Sequence, residues 1–251
     1  GKGVNKQLKL EQNLVEAIKD KDQIEIYYQA KIDSVTNSVS GAEALVRWNH
    51  PTLGLILPDN FIYIAESTGL MIELGYVIIE KTISQIAKFN ELGFIGLKIA
   101  INLSARQFQD KNLVSFILSC IDKHGVPPSQ IEFEITETIS MSNTDETLRI
   151  LTELNNIGVS IAIDDFGTGY ASLTYLKRFP IDVLKIDRSF VQDIGIDSDN
   201  EAIIQSTLTL ASSLGKECIA EGVESAHQLA FLKAQGCSYF QGYLFSKAVP
   251  K

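Results

Sequence analysis

The sequence predicts an α/β protein built as a TIM-like (β/α)8 barrel with one antiparallel strand. Three observations carry that prediction. Eight runs of strand length, apolar or alternating in character, are spaced along the 251 residues. Helical patterns lie between most of them, which favours a barrel or other α/β layering. The first two runs are joined only by Asp33–Val39, too short for a helical crossover, so that link is a hairpin and one strand runs backwards. An open doubly wound sheet would carry a glycine-rich phosphate loop after its first strand, and none is present. The length suits a single domain of this type, and no linker or internal repeat interrupts it.

In chain order, Gln7–Asp20 is an amphipathic helix, with Leu8, Leu10, Leu14, Val15 and Ile18 near helical spacing. Strands follow at Ile24–Ile32 and Ser40–Val46, then a helix pair within Phe61–Phe94 and a strand at Leu97–Leu103. Next come helix Leu113–Lys123, strand Ile131–Thr136, helix Asp145–Ile157, strand Val159–Ile163 and helix Leu173–Phe179. The series ends with strand Val183–Ile186, helix Glu201–Leu214, strand Glu217–Ala220, helix Ser225–Gln235 and strand Tyr239–Phe245.

With 45% hydrophobic and 21% charged residues, the chain can bury a sizeable core. Its net charge of −9 argues against a nucleic-acid polymer or an anionic membrane bound through a basic face. It leaves a phosphate substrate open, because bound cations reverse the local sign. Cys120, Cys218 and Cys237 lack metal-ligand spacing and read as reduced thiols of a cytoplasmic protein. No apolar run reaches membrane-spanning length. The chain begins Gly1-Lys2-Gly3 without an initiator methionine; the expectation is an excised domain, which leaves room for membrane or sensor segments in its parent.

Acidic and amide side chains recur where the strands end. Ile161-Ala162-Ile163 runs into Asp164-Asp165-Phe166-Gly167-Thr168-Gly169, and similar endings occur at Glu43, Asn102, Glu134, Asp187 and Glu221. In a barrel those ends share one mouth, where gathered carboxylates repel one another and are costly to desolvate. Divalent cations would relieve both costs. Each motif alone has a plainer reading. Asp164-Asp165 with its glycines is equally a capped turn. Glu43 and Arg47 share a strand face and could be a solvated ion pair, or a metal ligand beside a phosphate-binding fork. Asn102 could cap a turn, and Glu132 and Glu134 could lie on a solvated edge strand. Lys185 could steady a phosphate or pair with a neighbouring carboxylate. Trp48 reads as packing, and His50, His124 and His227 as turn, surface or capping residues. The sum of the motifs is more telling: the acids at the mouth face only Arg47 and Lys185, which demands cations.

In order and spacing, Glu43-Ala44-Leu45, Asn102-Leu103-Ser104, Glu134-Ile135-Thr136-Glu137, Asp164 to Gly169, Lys185-Ile186-Asp187, Glu221-Gly222-Val223-Glu224 and Gln241-Gly242 resemble the EAL domain family. That resemblance implies a phosphodiesterase hydrolysing cyclic di-GMP to linear 5'-pGpG, by in-line attack of a metal-bound hydroxide with two Mg2+ or Mn2+ ions. It implies that Glu43, Asn102, Glu134, Asp164, Asp165 and Glu221 hold the metal. Glu43, Lys185 and Glu221 are the implied catalytic residues, and Gln29, Arg47, Asp187 and Gln241 the implied substrate contacts. Glu137 and Glu224 are expected to support the glycine-rich loop. A catalytically silent cyclic di-GMP receptor is the alternative; members of that sort lack metal carboxylates, and none is missing here.

The same resemblance implies residues 1–23 as a lead-in joined to an upstream sensor or GGDEF-type domain, residues 24–251 as the barrel, and a homodimer. Ala30 and Ala248 replace prolines usual in the family, and Ala171 replaces a common serine.

Overall fold

The computed structural model describes residues 2–169 and 173–251; Ala171 lies outside them. The chain opens with α1 (Lys2–Asp20), followed by the hairpin β1 (Ile24–Asp33) and β2 (Val39–His50). The Asp33 carboxylate shapes the turn between them by accepting from the Val35 and Thr36 amides at 2.7 and 3.0 Å. A short strand β3 (Gly54–Ile56) then pairs on the outer edge of β2. It was not expected from the sequence, because three residues carry no readable period.

Helices α2 (Ile62–Thr68) and α3 (Met71–Glu91) lead into β4 (Lys98–Asn102), α4 (Ala105–Phe108), α5 (Leu113–His124) and β5 (Ile131–Thr136). Then come α6 (Glu137–Met141), α7 (Thr144–Ile157), β6 (Ser160–Phe166), α8 (Leu173–Arg178), β7 (Val183–Ile186), α9 (Arg188–Gln192) and α10 (Ser198–Ser213). Strand β8 (Glu217–Ala220), helix α11 (Ala226–Ala234) and strand β9 (Tyr239–Phe240) complete the order.

The sheet runs β1-β9-β8-β7-β6-β5-β4-β2, and β2 pairs back to β1, closing eight strands into a barrel. Strand β1 is antiparallel to both neighbours, whereas the pairings from β2 through β4 to β9 are parallel. The last strand is shorter than Tyr239–Phe245. After Gln241 the chain folds over, and Gly242 approaches Val223 so closely that a Cβ would sit 2.2 Å from the Val223 carbonyl oxygen.

Alternation along the strands separates two interiors. Ile99, Ile101, Phe133, Ile135, Ile161, Ile163, Leu184 and Ile186 join the large core packed between strands and helices. Ala162, Val183 and Ile219, with Tyr239 packed on them, form a small separate cluster inside the barrel. A typical barrel of this class fills its inside with branched aliphatic layers; here much of the rest of the inside is charged or amide-bearing. Helix α1 is tied to the same core, with Leu14 and Ala17 fully buried.

Candidate active site

Each inner strand delivers one or two polar side chains, because every second residue faces inward. On β2 this is Glu43. The Asn102 amide at the end of β4 donates to its Oε1 at 2.8 Å, and the Gln241 amide donates to its Oε2 at 2.7 Å. Gln241 Nε2 also reaches Gln29 Oε1 at 2.9 Å, and Gln29 donates to the Ser246 carbonyl. With its nitrogen turned to Glu43, Asn102 keeps its amide oxygen for a cation.

Lys185 on β7 is fully buried at the centre of the acids. Its Nζ lies 2.5 Å from Glu134 Oε2, 2.6 Å from Glu221 Oε1, 3.6 Å from Glu43 Oε2 and 3.9 Å from Asp164 Oδ1. Thus one ammonium is shared by four carboxylates from four strands.

The Asp164-Asp165 pair is a β-bulge. Between β6 and β7 the register passes from Ile163↔Leu184 to Phe166↔Ile186, so one extra residue is accommodated on β6. Asp165 takes the left-handed conformation, φ 55°, and its amide caps the Asp164 carboxylate at 2.8 Å. The backbone rotation that separates the two carboxylates therefore begins at Asp165 itself, ahead of the glycines. Asp164, Asp165 and Glu221 bring oxygens within 4.8 Å of one another, close enough to share one ion.

The loop that follows is held by Glu137, whose Oε2 accepts from the Gly167 and Gly169 amides, each at 3.2 Å. Asp187 caps α9, accepting from the Ser189 amide at 2.9 Å, and lies close enough to Asp165 for the two carboxyl groups to influence each other. Arg47 lies higher on β2, 5.3 Å over the Tyr27 ring and donating to the Val46 carbonyl. It makes no ion pair among the described residues, and with Nη1 on that carbonyl the Nε and Nη2 edge is left for an anion. Glu224 is exposed, and none of its described contacts joins it to the glycine-rich loop; its amide donates to Gln228 at 2.8 Å.

One residue of this inner network escaped the sequence reading, and another was misplaced by it. Lys31, on the antiparallel strand, is buried with its Nζ 3.1 Å from Glu132 Oε1 and 3.0 Å from Glu134 Oε1. Glu132 is only 2% exposed. The edge-strand explanation for Glu132 and Glu134 is therefore wrong: β5 is an inner strand between β4 and β6, and its acids point into a charged interior. Counting only Arg47 and Lys185 as cations was also incomplete. A lysine two residues beyond Gln29, on the inward face of a strand, was the signal that could have found Lys31.

The electrostatics follow from crowding. Burial drives Glu134 up to about 7, helped by the Glu43 charge and opposed by Lys185 and Lys31. Burial opposes ionisation of Glu43 too, but Lys185, Lys31 and the Asn102 and Gln241 hydrogen bonds hold it down at about 2. Glu221 is pushed well above the carboxylate range, by burial first and, against Lys185, by Asp164, Glu43 and Glu134. Burial, the Asp164 charge and the nearby Asp187 carboxyl raise Asp165 to about 7. Lys185 is stabilised as a cation despite burial by Glu134, Glu221, Glu43 and Asp164.

Six carboxylates (Glu43, Glu132, Glu134, Asp164, Asp165 and Glu221) thus surround two ammonium groups, and the group cannot ionise fully as it stands. Carboxylate and amide oxygens are the donors preferred by hard divalent cations. The residues fit Mg2+ or Mn2+ chemistry. Fold and site together define a (β/α)8-barrel with an acidic mouth whose donor set suits a divalent cation.

Comparison with known proteins supplies the family. The EAL domain model matches residues 11–248, and the chain belongs to that family. The chain is 40% identical over 244 residues to the bifunctional diguanylate cyclase/cyclic di-GMP phosphodiesterase MucR of Pseudomonas aeruginosa, covering 97% of this chain and 36% of MucR. It is 39% identical to the cyclic di-GMP phosphodiesterase PdeR of Escherichia coli, covering 96% of this chain and 36% of PdeR. The chain therefore spans about a third of the length of these curated relatives. The solved PaMucR phosphodiesterase in complex with c-di-GMP superposes with a TM-score of 0.91 at 39% identity, covering 94% of this chain and 96% of that one.

Proposed function

We propose that this domain is a divalent-metal-dependent phosphodiesterase that opens cyclic di-GMP to linear 5'-pGpG. The observation that carries the reading is Lys185 set among Glu43, Glu134, Asp164 and Glu221, beside the Asp164-Asp165 bulge. Likeness to MucR, PdeR and the c-di-GMP-bound PaMucR structure supports it.

Glu43, Asn102, Glu134, Asp164, Asp165 and Glu221 would hold two Mg2+ or Mn2+ ions. When bound, such ions supply Lewis-acid charge to the reacting phosphate and to the attacking water. Lys185 keeps a fixed positive charge where the phosphate becomes more negative in the transition state. Glu221, which the metal-free chain holds protonated, would be ionised once a cation takes the place of that proton, and in that form it would accept one from the attacking water. The open fork of Arg47 binds a phosphate bidentately, while Gln29 and Gln241 orient Glu43 and contact the substrate. Asp187, at the rim beside Asp165, would contact the substrate. Glu137 secures the loop after Asp165.

The proposal extends to a homodimer in the cytoplasm, coupled through the Asp165–Gly169 loop. The parent chain would carry an upstream GGDEF-type or sensor domain, with residues 1–23 as the joint. Relatives about three times as long support that setting, and one of them bears a diguanylate cyclase name. Among the described residues no helix is long and apolar enough to cross a membrane.

The test is chromatography of cyclic di-GMP incubated with the domain and Mg2+ or Mn2+. Metal-dependent pGpG is expected, and binding without turnover would favour the silent receptor. Glu43→Gln should lower turnover at least about a hundredfold, since a catalytic metal contributes several kcal/mol and each decade is about 1.4 kcal/mol. A glutamine there also turns an amide N–H toward Asn102 or Gln241, both of which are donors. Retained turnover in this variant would reject Glu43 as a ligand.

A further inference from the structure

We propose that Lys31 is a positioning residue that sets Glu134 for cation binding, and that Glu132 is its anchor. This rests on the metal-dependent reading above and concerns how the chain prepares one ligand for the ion.

The geometry begins with topology. Because β1 runs against its neighbours, its side chains descend into the barrel from the mouth. Gln29 lies opposite Glu43 and Lys31 lies opposite Gly41, one inward-facing layer deeper. Small residues make the room: Gly41 beside Lys31, Ala100 beside Glu132 and Ala162 beside Glu134. Below lies a cavity of about 100 Å³ at the opposite end of the barrel, where Lys31 and Glu132 meet Ser40, Lys98 and Tyr239.

In that space Lys31 Nζ bridges Glu132 Oε1 and Glu134 Oε1, at 3.1 and 3.0 Å. The other oxygen of Glu134 is held by Lys185 at 2.5 Å. Glu134 is thus gripped from two sides by ammonium groups of unlike surroundings. Lys185 is shared with Glu43, Asp164 and Glu221, the same acids that would turn to an incoming cation. Lys31 touches none of those three within ion-pair distance; its second partner, Glu132, faces away from the mouth toward the lower cavity. As cations draw the carboxylates around Lys185 into new contacts, the Lys31 grip keeps the plane and depth of Glu134 fixed. Outer partners that orient a metal ligand commonly govern metal affinity by ~10- to 100-fold.

A merely neutralising Lys31 gives the opposite sign. If it served only to offset buried negative charge, its loss would leave the acids more attractive to a divalent cation, and metal would bind more tightly. Lys31→Met alone leaves the buried Glu132 without its cation and Glu134 with Lys185 only, which threatens the fold. The decisive variant is therefore Lys31→Met with Glu132→Leu, which removes one charge of each sign and replaces a buried pair with apolar side chains, a change cores often accept. Folding is checked by the thermal midpoint in chelator.

Mn2+ titration calorimetry on the metal-free domain then reads the affinity directly. The expected result is a Kd for Mn2+ raised ~10- to 100-fold in the double variant, with kcat falling and KM for cyclic di-GMP changing little. An unchanged or tighter Kd in a folded double variant overturns the positioning role while leaving the phosphodiesterase reading intact. Failure of the unaltered domain to bind Mn2+ overturns both.

Discussion

At the scale of single residues, the site is a problem in shared charge. Glu134 and Asp165 are raised to about 7 from ordinary values of 4.5 and 3.8, chiefly by burial. The folded chain thus holds protons that the unfolded chain releases above about pH 4. The sign follows: the stability these groups contribute is complete below about pH 4 and is lost as the pH climbs through about 7. Glu43, held at about 2, acts oppositely, and its contribution disappears only as the pH falls from about 4.5 toward 2. The metal-free domain should therefore melt at a lower temperature at pH 8 than at pH 5.5. Mn2+ should raise the melting temperature more at pH 8, because the cation takes the place of protons. Scanning fluorimetry at both pH values, in chelator and in Mn2+, checks this; equal lifts would contradict it. The sequence displayed these acids openly. It concealed Lys31 and the burial of Glu132, because which face of β5 is covered depends on strands distant in the chain.

At the scale of elements, the same device is used three times. Asn102, Glu134 and Lys185 each lie two residues before a side chain that caps a short helix: Ser104 for α4, Thr136 for α6 and Asp187 for α9. The chain thereby turns away from the mouth just after delivering its functional group, which fixes the strand end. These one-turn helices were not expected from periodicity, which needs more than one turn to register. The Ser104 and Gln107 capping box is a signal that the sequence reading passed over. The longer helices and most strands fell within a few residues of their expected limits, since each buries one regular face. Glu137 shows how an element and its loop depend on each other. Glu137→Ala would leave the Gly167 and Gly169 amides without their acceptor, at a cost of ~1–3 kcal/mol. Hydrogen exchange should accelerate at those two amides, and turnover should fall with the melting temperature reduced by only a few degrees. Unchanged exchange would mean that Glu137 does not hold the loop.

At the scale of the whole molecule, the hairpin at the start of the barrel has the widest consequence. Asp33–Val39 was too short for a crossover, which made one antiparallel strand legible from the sequence. The structure adds that this reversal carries Lys31 beneath Glu134. Helix α1 is likewise more than a lead-in, because Leu14 and Ala17 are fully buried in the main core. Leu14→Ala should cost ~2–5 kcal/mol and lower the melting temperature by roughly 4–20 °C. A change below one degree would show that α1 does not contribute to the fold. Closure of eight strands is what gathers Glu43, Asn102, Glu134, Asp164, Asp165 and Glu221 from five strands, and the central claim is that they do so to hold cations. Anomalous diffraction from crystals grown with Mn2+ tests it most directly. Two peaks are predicted within the mouth, at ligand distance from those six residues; well-diffracting crystals with Mn2+ bound only outside the mouth, or nowhere, would contradict it.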